Sequence, residues 1–317
     1  MSKKFQKTLI IGINESALDS AYWQRIEAST EKIISLAKDS SEIKKQLADA
    51  DCLLIGFGIT INKEIVDNAP KLKYIGALAT AYGKVDVDYT NSKGIAVCNI
   101  PGYATEAVAE FVFAVILDHI RETERGKKQA REGNYSEVGF STIEIKNKIF
   151  GILGLGRIGS RVAEIALGFS ADVRYWSIDR KKDFEASGIK YEEADDLISK
   201  CDFLSLHFAQ VKDTENFLNE ERIQKIKKGA IVINTAPMEL VDINALEKRL
   251  KNRDITFILD HSDEMSPENI KRLSKFENCI IYPPIAYVTK EARVAKQEIF
   301  VGNIENFLKG TPTNQVN

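Results

Sequence analysis

The chain has 317 residues, 44% of them hydrophobic, and its 44 Lys and Arg residues nearly balance 46 Asp and Glu residues, for a formal net charge of -2. This length predicts two domains with buried cores, and the composition excludes a disordered or fibrous protein. The near-neutral charge argues against a nucleic-acid partner, because nucleic acids select a strongly basic face.

Three further features bear on cellular location. The basic N-terminus is followed by an apolar run too short for a signal peptide. The most apolar stretch, residues 107–117, is far shorter than the ~20 residues of a membrane span. Cys52, Cys98, Cys201 and Cys279 are widely separated and form no CxxC pair. We therefore expect a cytoplasmic protein without a membrane partner, with reduced, buried thiols and no metal site.

Apolar strand-like runs alternate with amphipathic helical stretches along the chain, a pattern typical of parallel sheets with crossover helices. Before residue 100 the sequence predicts strands over 9–13, 52–55, 73–77 and 95–98, and helices over 21–38, 41–48 and 63–68. A Pro-Gly turn at 101–102 then precedes a long predicted helix, 105–131.

The second half has its own set of predicted elements. Strands are predicted over 149–153, 172–176, 203–207, 230–234, 256–260 and 279–282, and a last helix over 289–308. Six strands separated by helices fit a doubly wound parallel (Rossmann) sheet, accompanied by a smaller flavodoxin-like α/β domain. We predict a substrate-type domain of residues 1–100 plus 288–317 and a dinucleotide-binding domain of residues 101–287.

The most specific local motif lies where the first strand of the second domain ends. Residues 149–159, IFGILGLGRIG, form a strand that leads into Gly154-x-Gly156-x-x-Gly159 and then a helix. The glycines permit a tight turn, close approach of the backbone to a pyrophosphate, and packing of the helix on the strand. The strand-turn-helix context makes dinucleotide binding the favoured interpretation.

The choice between NAD and NADP depends on the end of the next strand, where an acidic residue would hold the ribose 2′-hydroxyl. Ser177 stands there and Asp179 follows, while Arg180 and its neighbouring lysines can neutralise a 2′-phosphate. This favours NADP slightly. NAD stays open if Asp179 turns inward, and these charges are equally typical of a solvated loop.

Several stretches together resemble the D-isomer-specific 2-hydroxyacid dehydrogenase family across nearly the whole chain. They are residues 80–111, 151–159, 205–236, 240–242, 259–260 and 289–293. The resemblance implies a small-molecule substrate, a cleft between a substrate domain and a cofactor domain, and a homodimer formed through the long helix after GYAT.

The resemblance also assigns cofactor and substrate positions. It places Thr105 at the cofactor phosphate, Arg157 and Ile158 in the pyrophosphate turn, Thr235 and Ala236 beside the nicotinamide, and Asp260 at the carboxamide, with His207 as a cofactor-lining or structural residue. The loop of Thr80 and Ala81 would meet the substrate carboxylate through its backbone amides, although the family usually has glycine where Ala81 stands.

The catalytic positions depart from the family pattern. The arginine that clamps the substrate carboxylate is replaced by Pro237, and the catalytic histidine by Pro284. Asp263 is the candidate for the acid that tunes that histidine. Proline has neither a charge nor a transferable proton, and a positioned acid contributes ~10²–10⁴-fold to such a reaction. The usual reaction by the usual residues is therefore not expected, and loss of the arginine suggests a less anionic substrate.

Other residues can replace the missing groups. His261 follows Asp260 at a strand end and can act as acid or base, although strand alternation points it away from Asp260. Tyr287 and Tyr103 can donate a proton to a developing oxyanion, or simply fill space.

Two main hypotheses follow. The favoured one is an atypical NAD(P)-dependent oxidoreductase with a rebuilt substrate site. The alternative is a catalytically silent NAD(P)-binding sensor or scaffold protein. A third, weaker one is redox-neutral chemistry with a tightly held nicotinamide.

Overall fold

The computed structural model describes residues 4–208 and 214–317. Residues 209–213, part of the resembling stretch 205–236, lie outside the described residues. The chain divides into two compact units: unit 1 runs to Ala104 and includes Thr289–Asn317, and unit 2 is Thr105–Val288. The sequence placed these boundaries after residues 100 and 287.

Unit 1 is a parallel α/β unit. Its elements in chain order are β1 (Thr8–Ile11), α1 (Ser20–Ala28), β2 (Ile33–Leu36), α2 (Ile43–Leu47), β3 (Cys52–Ile55), α3 (Lys63–Asp67), β4 (Tyr74–Ala77), α4 (Val87–Ser92) and β5 (Ala96–Cys98). All the strand pairs are parallel, in the order β2-β1-β3-β4-β5. This is the flavodoxin-like order, as predicted.

The helix predicted over 21–38 is wrong in its second half. Helix α1 ends at Ala28, and β2 takes the place of the remainder. The Thr30 hydroxyl bonds to the Thr8 hydroxyl at 3.0 Å, and the β-branched Ile33 and Ile34 pair with β1. Pairing with a buried strand therefore outweighs the amphipathic helical pattern there.

Unit 2 contains the larger sheet. Its elements are α5 (Thr105–Ile120), α6 (Thr123–Arg131), β6 (Ile149–Leu153), α7 (Arg157–Gly168), β7 (Asp172–Trp176), α8 (Lys182–Glu185), β8 (Lys190–Tyr191), α9 (Ala194–Lys200), β9 (Phe203–Leu206), α10 (Glu220–Lys225), β10 (Ile231–Asn234), α11 (Ile243–Leu250), β11 (Thr256–Leu259), α12 (Pro267–Leu273) and β12 (Cys279–Ile281). The parallel order β12-β11-β10-β9-β6-β7-β8 is that of a doubly wound dinucleotide-binding sheet, with β12 added at one edge. The predicted fold class is thus confirmed.

Two predictions for unit 2 need correction. The helix expected over 105–131 is divided at Glu122, whose φ of 48° is left-handed, so α5 and α6 are separate. The sheet also contains the short strand β8. A strand of two residues is too short to show an alternating pattern in the sequence.

The last helix, α13 (Lys290–Lys309), belongs to unit 1. Its N-terminus is capped by Thr289, whose hydroxyl accepts a hydrogen bond from the Ala292 amide at 3.0 Å. Phe300, Val301 and Ile304 of this helix are buried against the sheet.

The four cysteines are free and buried, as expected. In the described part of the chain, no group of three or more His, Cys, Asp or Glu side chains is placed to hold a metal ion. Within the same residues, every helix is too short or too polar to cross a bilayer.

Candidate active site

The glycine turn at the end of β6 has the geometry that its sequence predicts. Gly154 has a φ of +98°, and its amide donates to the Trp176 carbonyl at 2.8 Å. A Cβ at Gly159 would stand 2.1 Å from the Gly154 carbonyl oxygen, a distance no side chain tolerates. Both positions therefore require glycine, and the turn brings α7 directly against β6.

Gly156 differs because a Cβ there would have no atom within 4 Å. It immediately precedes α7, whose first residues are the exposed Arg157 and the half-buried Ile158. Open space before a helix N-terminus, where amides lack intrahelical partners, fits a pyrophosphate.

Thr105 begins α5, which packs against α7. In the same turn of α5, Glu106 forms an ion pair with Arg161 of α7 at 2.8 Å. The structure therefore holds the start of α5 beside the helix that follows the glycine turn, the region to which the resemblance assigns Thr105.

The residues at the end of β7 are partly engaged with one another. Ser177 directly follows the strand and is half-buried. Arg180 binds both carboxylate oxygens of Glu185, at 2.8 and 2.9 Å, and lies over the Tyr191 ring, 4.8 Å from its centroid. The Arg180 guanidinium holds the pKa of Glu185 near 2. The charge expected to meet a 2′-phosphate is therefore already paired with a carboxylate.

His207 follows β9, the strand beside β6 where the strand order reverses. Its amide donates to the Leu153 carbonyl at 2.8 Å, and its Nε2 lies 2.8 Å from the Ser205 hydroxyl. Burial lowers the pKa of His207 to about 3, so the ring is neutral at pH 7. A neutral ring at this reversal is consistent with the cofactor-lining role proposed from sequence.

The end of β10 is held by a buried asparagine. The Asn234 carboxamide oxygen accepts from the Ala236 amide at 3.1 Å, which fixes the turn through Thr235. The Thr235 hydroxyl is buried with no partner among the described residues. A buried hydroxyl without a partner is costly, and a bound polar ligand would satisfy it.

Asp260, at the end of β11, is 2% exposed. Its Oδ2 accepts from the Ala286 amide at 3.0 Å, whereas its Oδ1 is buried and has no hydrogen-bond partner in the described residues. Burial raises the pKa of this carboxyl group. An unfilled acceptor here suits the amide N–H of a nicotinamide, so the side chains and the glycine turn of unit 2 fit the dinucleotide that the sequence implies.

His261 is surrounded by acceptors. Its Nε2 lies 3.1 Å from the Thr235 carbonyl oxygen, and its Nδ1 lies 3.3 Å from Glu264 Oε1. Burial acts to lower the pKa of His261, but the carboxylates of Glu264 and Asp260 outweigh it and the net shift is upward. The arrangement therefore favours the doubly protonated imidazolium.

Two details at His261 differ from the sequence expectations. Its Nε2 lies 3.9 Å from Asp260 Oδ1, although alternation would separate the two side chains. Alternation fails because β11 ends at Leu259, and the chain then bends into a short helical turn. The acid that contacts His261 is Glu264, not the candidate Asp263, which is exposed.

The remaining candidate positions of unit 2 are one tyrosine and two prolines. Tyr287 is 43% exposed and makes no hydrogen bond or ring contact with any described residue. It follows Ala286, whose amide is bound by Asp260. Pro237 and Pro284 are half-buried.

Unit 1 contains the remaining candidates. The Thr80 hydroxyl donates to the Ile100 carbonyl at 3.0 Å, and the Thr80 carbonyl accepts from Asn99 Nδ2 at 2.7 Å. The adjoining Ala81 is exposed. Tyr103 packs against an apolar cluster that includes Ile100. These residues lie at the carboxyl edge of the unit 1 sheet, where parallel α/β proteins bind ligands.

A doubly wound sheet with a glycine turn where its strand order reverses defines a dinucleotide-binding α/β protein. Comparison with known proteins identifies the family: residues 113–286 match the model described as D-isomer specific 2-hydroxyacid dehydrogenase, NAD binding domain. The chain belongs to this family.

Relatives share the match over most of their length. The chain is 32% identical to a hydroxypyruvate reductase of Blautia hydrogenotrophica, across 96% of this chain and 97% of the relative. It is 34% identical to a glyoxylate reductase of Thermococcus litoralis, across 86% and 85%.

Solved structures of similar fold support the same family. D-lactate dehydrogenase from Aquifex aeolicus, complexed with NAD and lactic acid, has a TM-score of 0.83 at 27% identity and covers 96% of both chains. An acyclic imino acid reductase in complex with NADPH and D-arginine has a TM-score of 0.83 at 28% identity, covering 98% of this chain and 100% of its own. The family therefore supports an oxidoreductase with an NAD-binding domain.

Proposed function

We propose that the chain is an NAD(P)-dependent oxidoreductase that reduces a small carbonyl or imine compound with catalytic groups different from the family's usual pair. In this proposal unit 2 binds the dinucleotide and unit 1 the substrate. The observation that carries it is Asp260, whose buried Oδ1 has no hydrogen-bond partner among the described residues, which supports a contact with a nicotinamide amide. A carboxylate kept for the nicotinamide end of the cofactor implies hydride chemistry.

His261 and Glu264 are the proposed acid pair in place of the histidine that Pro284 replaces. Reduction of a carbonyl adds a hydride to carbon and a proton to oxygen, and the bound nicotinamide supplies the hydride. Acceptors lie 3.1 and 3.3 Å from the two ring nitrogens of His261 and favour the doubly protonated ring, and donation to the substrate oxygen requires the Nε2 proton to leave the Thr235 carbonyl oxygen. Glu264 orients the ring and favours its charged form, the role a carboxylate has beside a catalytic imidazole. Tyr287, with an unengaged hydroxyl, is the second candidate donor.

For the cofactor, we propose that NADPH is accepted at least as well as NADH. Ser177 directly follows β7, so the position where a carboxylate would repel a 2′-phosphate holds a neutral side chain. Arg180 would have to leave Glu185 to contact that phosphate, and breaking this ion pair reduces the gain in affinity for NADPH.

We also propose a cytoplasmic homodimer. Two strongly exposed apolar side chains, Tyr135 at 83% and Val138 at 79%, follow α6 and support burial against a second copy. Sedimentation equilibrium distinguishes monomer from dimer, and a monomer at micromolar concentration would contradict this part of the proposal.

The first experiment is a paired titration with NADH and NADPH that follows energy transfer from tryptophan to the reduced nicotinamide. Saturable binding is expected. A scan of 2-oxo acids, with and without ammonia, then measures oxidation of each bound cofactor. Turnover that H261Q abolishes supports the proposal, provided that the control H119Q, at a histidine of α5 bonded to Thr256, retains it.

The alternative, a catalytically silent NAD(P)-binding sensor or scaffold, is favoured by Pro237 and Pro284, which remove charge and proton transfer where the resemblance expects them. Confirmed dinucleotide binding without turnover of any compound in the scan would establish it over the oxidoreductase.

A further inference from the structure

The two edges of the unit 1 sheet differ in how the chain covers them. At the β5 edge, Gln315 beyond α13 forms an antiparallel bridge with Cys98. The Val316 amide also donates to the Val97 carbonyl at 2.9 Å, so a strand-like segment covers this edge. At the opposite edge, β2 has β1 as its only neighbour among the described strands. An uncovered edge strand presents unpaired amides and carbonyls to which an extended chain can bind.

The unpaired main-chain groups of β2 belong to alternate residues. The Lys32 carbonyl accepts from the Thr8 amide at 2.8 Å, and the Leu36 carbonyl accepts from the amide that follows β1 at 3.0 Å. Main-chain groups along a strand alternate in direction, so Ile33 and Ser35 direct their amides and carbonyls toward the open edge. Each of these two residues offers one donor and one acceptor to a further strand.

A groove of about 760 Å³, which we call the α1 groove, is lined by α1, by β2 and by the segments that precede them. Its size lies within the range of about 300–1,000 Å³ that is typical of ligand pockets. Ile33 and Ser35 both line it, so the groove and the unpaired main-chain groups form one surface. Its apolar lining belongs to a single core cluster and consists of Ile13, Leu18, Trp23 and Ile33. An apolar side chain that enters the groove therefore extends that cluster.

The lining of the α1 groove is also acidic. Glu15, Glu27 and Glu31 all contribute exposed side chains to it. No described residue forms an ion pair with any of these carboxylates, and Lys32 is the only basic residue among the described residues of the lining. Unpaired negative charge attracts cationic groups and suppresses the binding of anionic ones. The groove therefore favours a ligand with Lys or Arg side chains next to an apolar one.

We propose that the β2 edge and the α1 groove together bind an extended, basic segment of a partner protein. The segment adds a strand to the five-stranded sheet by pairing with the main chain of Ile33 and Ser35. Its apolar side chain enters the groove. Lys or Arg two positions before and after that side chain point to the same side, toward the glutamates, because side chains alternate along a strand. The described lining includes none of the candidate active-site residues, so this binding is separate from the proposed function.

The test uses a fluorescein-labelled heptapeptide, Thr-Lys-Thr-Leu-Thr-Lys-Thr, titrated into the full chain and followed by anisotropy. Saturable binding is expected at up to about 1 mM, the weak affinity typical of a small interface. One matched peptide replaces both Lys by Glu, and another replaces Leu by Ser. Each should bind about 10-fold or more weakly, since the first brings like charges together and the second buries no apolar side chain.

Backbone amide NMR spectra of the full chain locate the bound peptide. The Ile33 and Ser35 amide protons should move downfield, because each gains a hydrogen bond to the peptide. The Ile34 amide, which faces β1, should change less. Shifts confined to other parts of the chain would contradict pairing with β2.

Two pairs of variants test the main chain and the charge separately. S35P removes one outward amide and should abolish binding, whereas S35A keeps the main chain and should bind like the wild type. E27Q/E31Q should weaken binding about 3- to 20-fold, the effect of losing two exposed ion pairs. E268Q/E277Q removes two exposed carboxylates from unit 2 and should match the wild type. Circular dichroism checks that each variant is folded.

The other outcomes overturn the proposal. They are absence of binding by the Lys peptide, equal binding of the Lys and Glu peptides, and unchanged binding by folded S35P. A dimer that S35P converts to a monomer in sedimentation would assign the β2 edge to a second copy of the chain instead of a partner segment. The titrations contain no dinucleotide, so failure of the proposed function would leave their result unaffected.

Discussion

The carboxyl edge of the unit 2 sheet has two halves that differ in what determines them. At β6 the glycine turn is fixed by backbone geometry, since Gly154 is left-handed and Gly159 lies too close to a carbonyl oxygen for any Cβ. At β10 and β11 the site is built from side chains, and several of their buried polar atoms have no partner in the described residues: Thr235 Oγ1, Asp260 Oδ1 and Glu264 Oε2. In the first half the backbone geometry requires glycine at positions 154 and 159, whereas in the second half the side chains determine what can bind.

The largest effect is expected in the glycine turn. G159V should abolish detectable dinucleotide binding, because its Cβ would meet the Gly154 carbonyl and displace α7 from β6. G168A, at the other end of α7, meets no atom within 4 Å and should bind normally. Fluorescence titration measures both. Normal binding by G159V would contradict the assignment of this turn to the pyrophosphate.

The next largest effect is expected at His261. H261Q should lower kcat of the reductive reaction by about 10²- to 10⁴-fold, the usual contribution of a positioned acid. The wild-type rate should fall as pH rises through the pKa of His261, which lies above the ordinary 6.5. H119Q is the matched control, since the His119 ring bonds the Thr256 hydroxyl at 3.2 Å and no other side chain among the described residues. A pH profile unchanged in H261Q would exclude His261 as the acid.

The same contrast explains what the sequence could predict. The glycine turn and the alternation of strands and helices predict a doubly wound parallel sheet for unit 2, because they reflect local backbone requirements. The acid beside His261 was not predictable in this way. Glu264 reaches the ring only because the chain bends after Leu259, and one sequence shows no signal that distinguishes it from Asp263.

The ion pair of Arg180 with Glu185 was not predictable for a related reason. Its partner Glu185 lies five residues away across the loop after β7, and a run of mixed charges does not specify which residues meet. Likewise β2 was predicted as helix because its pairing with β1 depends on residues far along the chain.

A moderate effect on stability is expected at Asp260. The folded carboxyl has a raised pKa, so the folded state binds more protons than the unfolded state above pH 3.8, and stability contributed by this group falls as pH rises toward the folded pKa. D260N removes that dependence. Urea unfolding should show the wild type losing stability relative to D260N as pH increases from 4 to neutrality. D263N, at an exposed carboxylate, should retain the wild-type dependence.

The smallest effect is expected at the adenosine end. E185Q should release Arg180 from its bidentate pair, and the freed guanidinium should raise affinity for NADPH relative to NADH by about twofold to fivefold, as expected for an exposed charge interaction. E193Q removes a nearby carboxylate that accepts a hydrogen bond from the Tyr191 hydroxyl at 3.1 Å and forms no bond with Arg180, and it should leave the ratio unchanged. The gain should shrink at high salt because exposed charges are screened. An unchanged ratio in E185Q would show that Arg180 does not meet the 2′-phosphate, and cofactor preference would then depend on Ser177 and the neighbouring lysines.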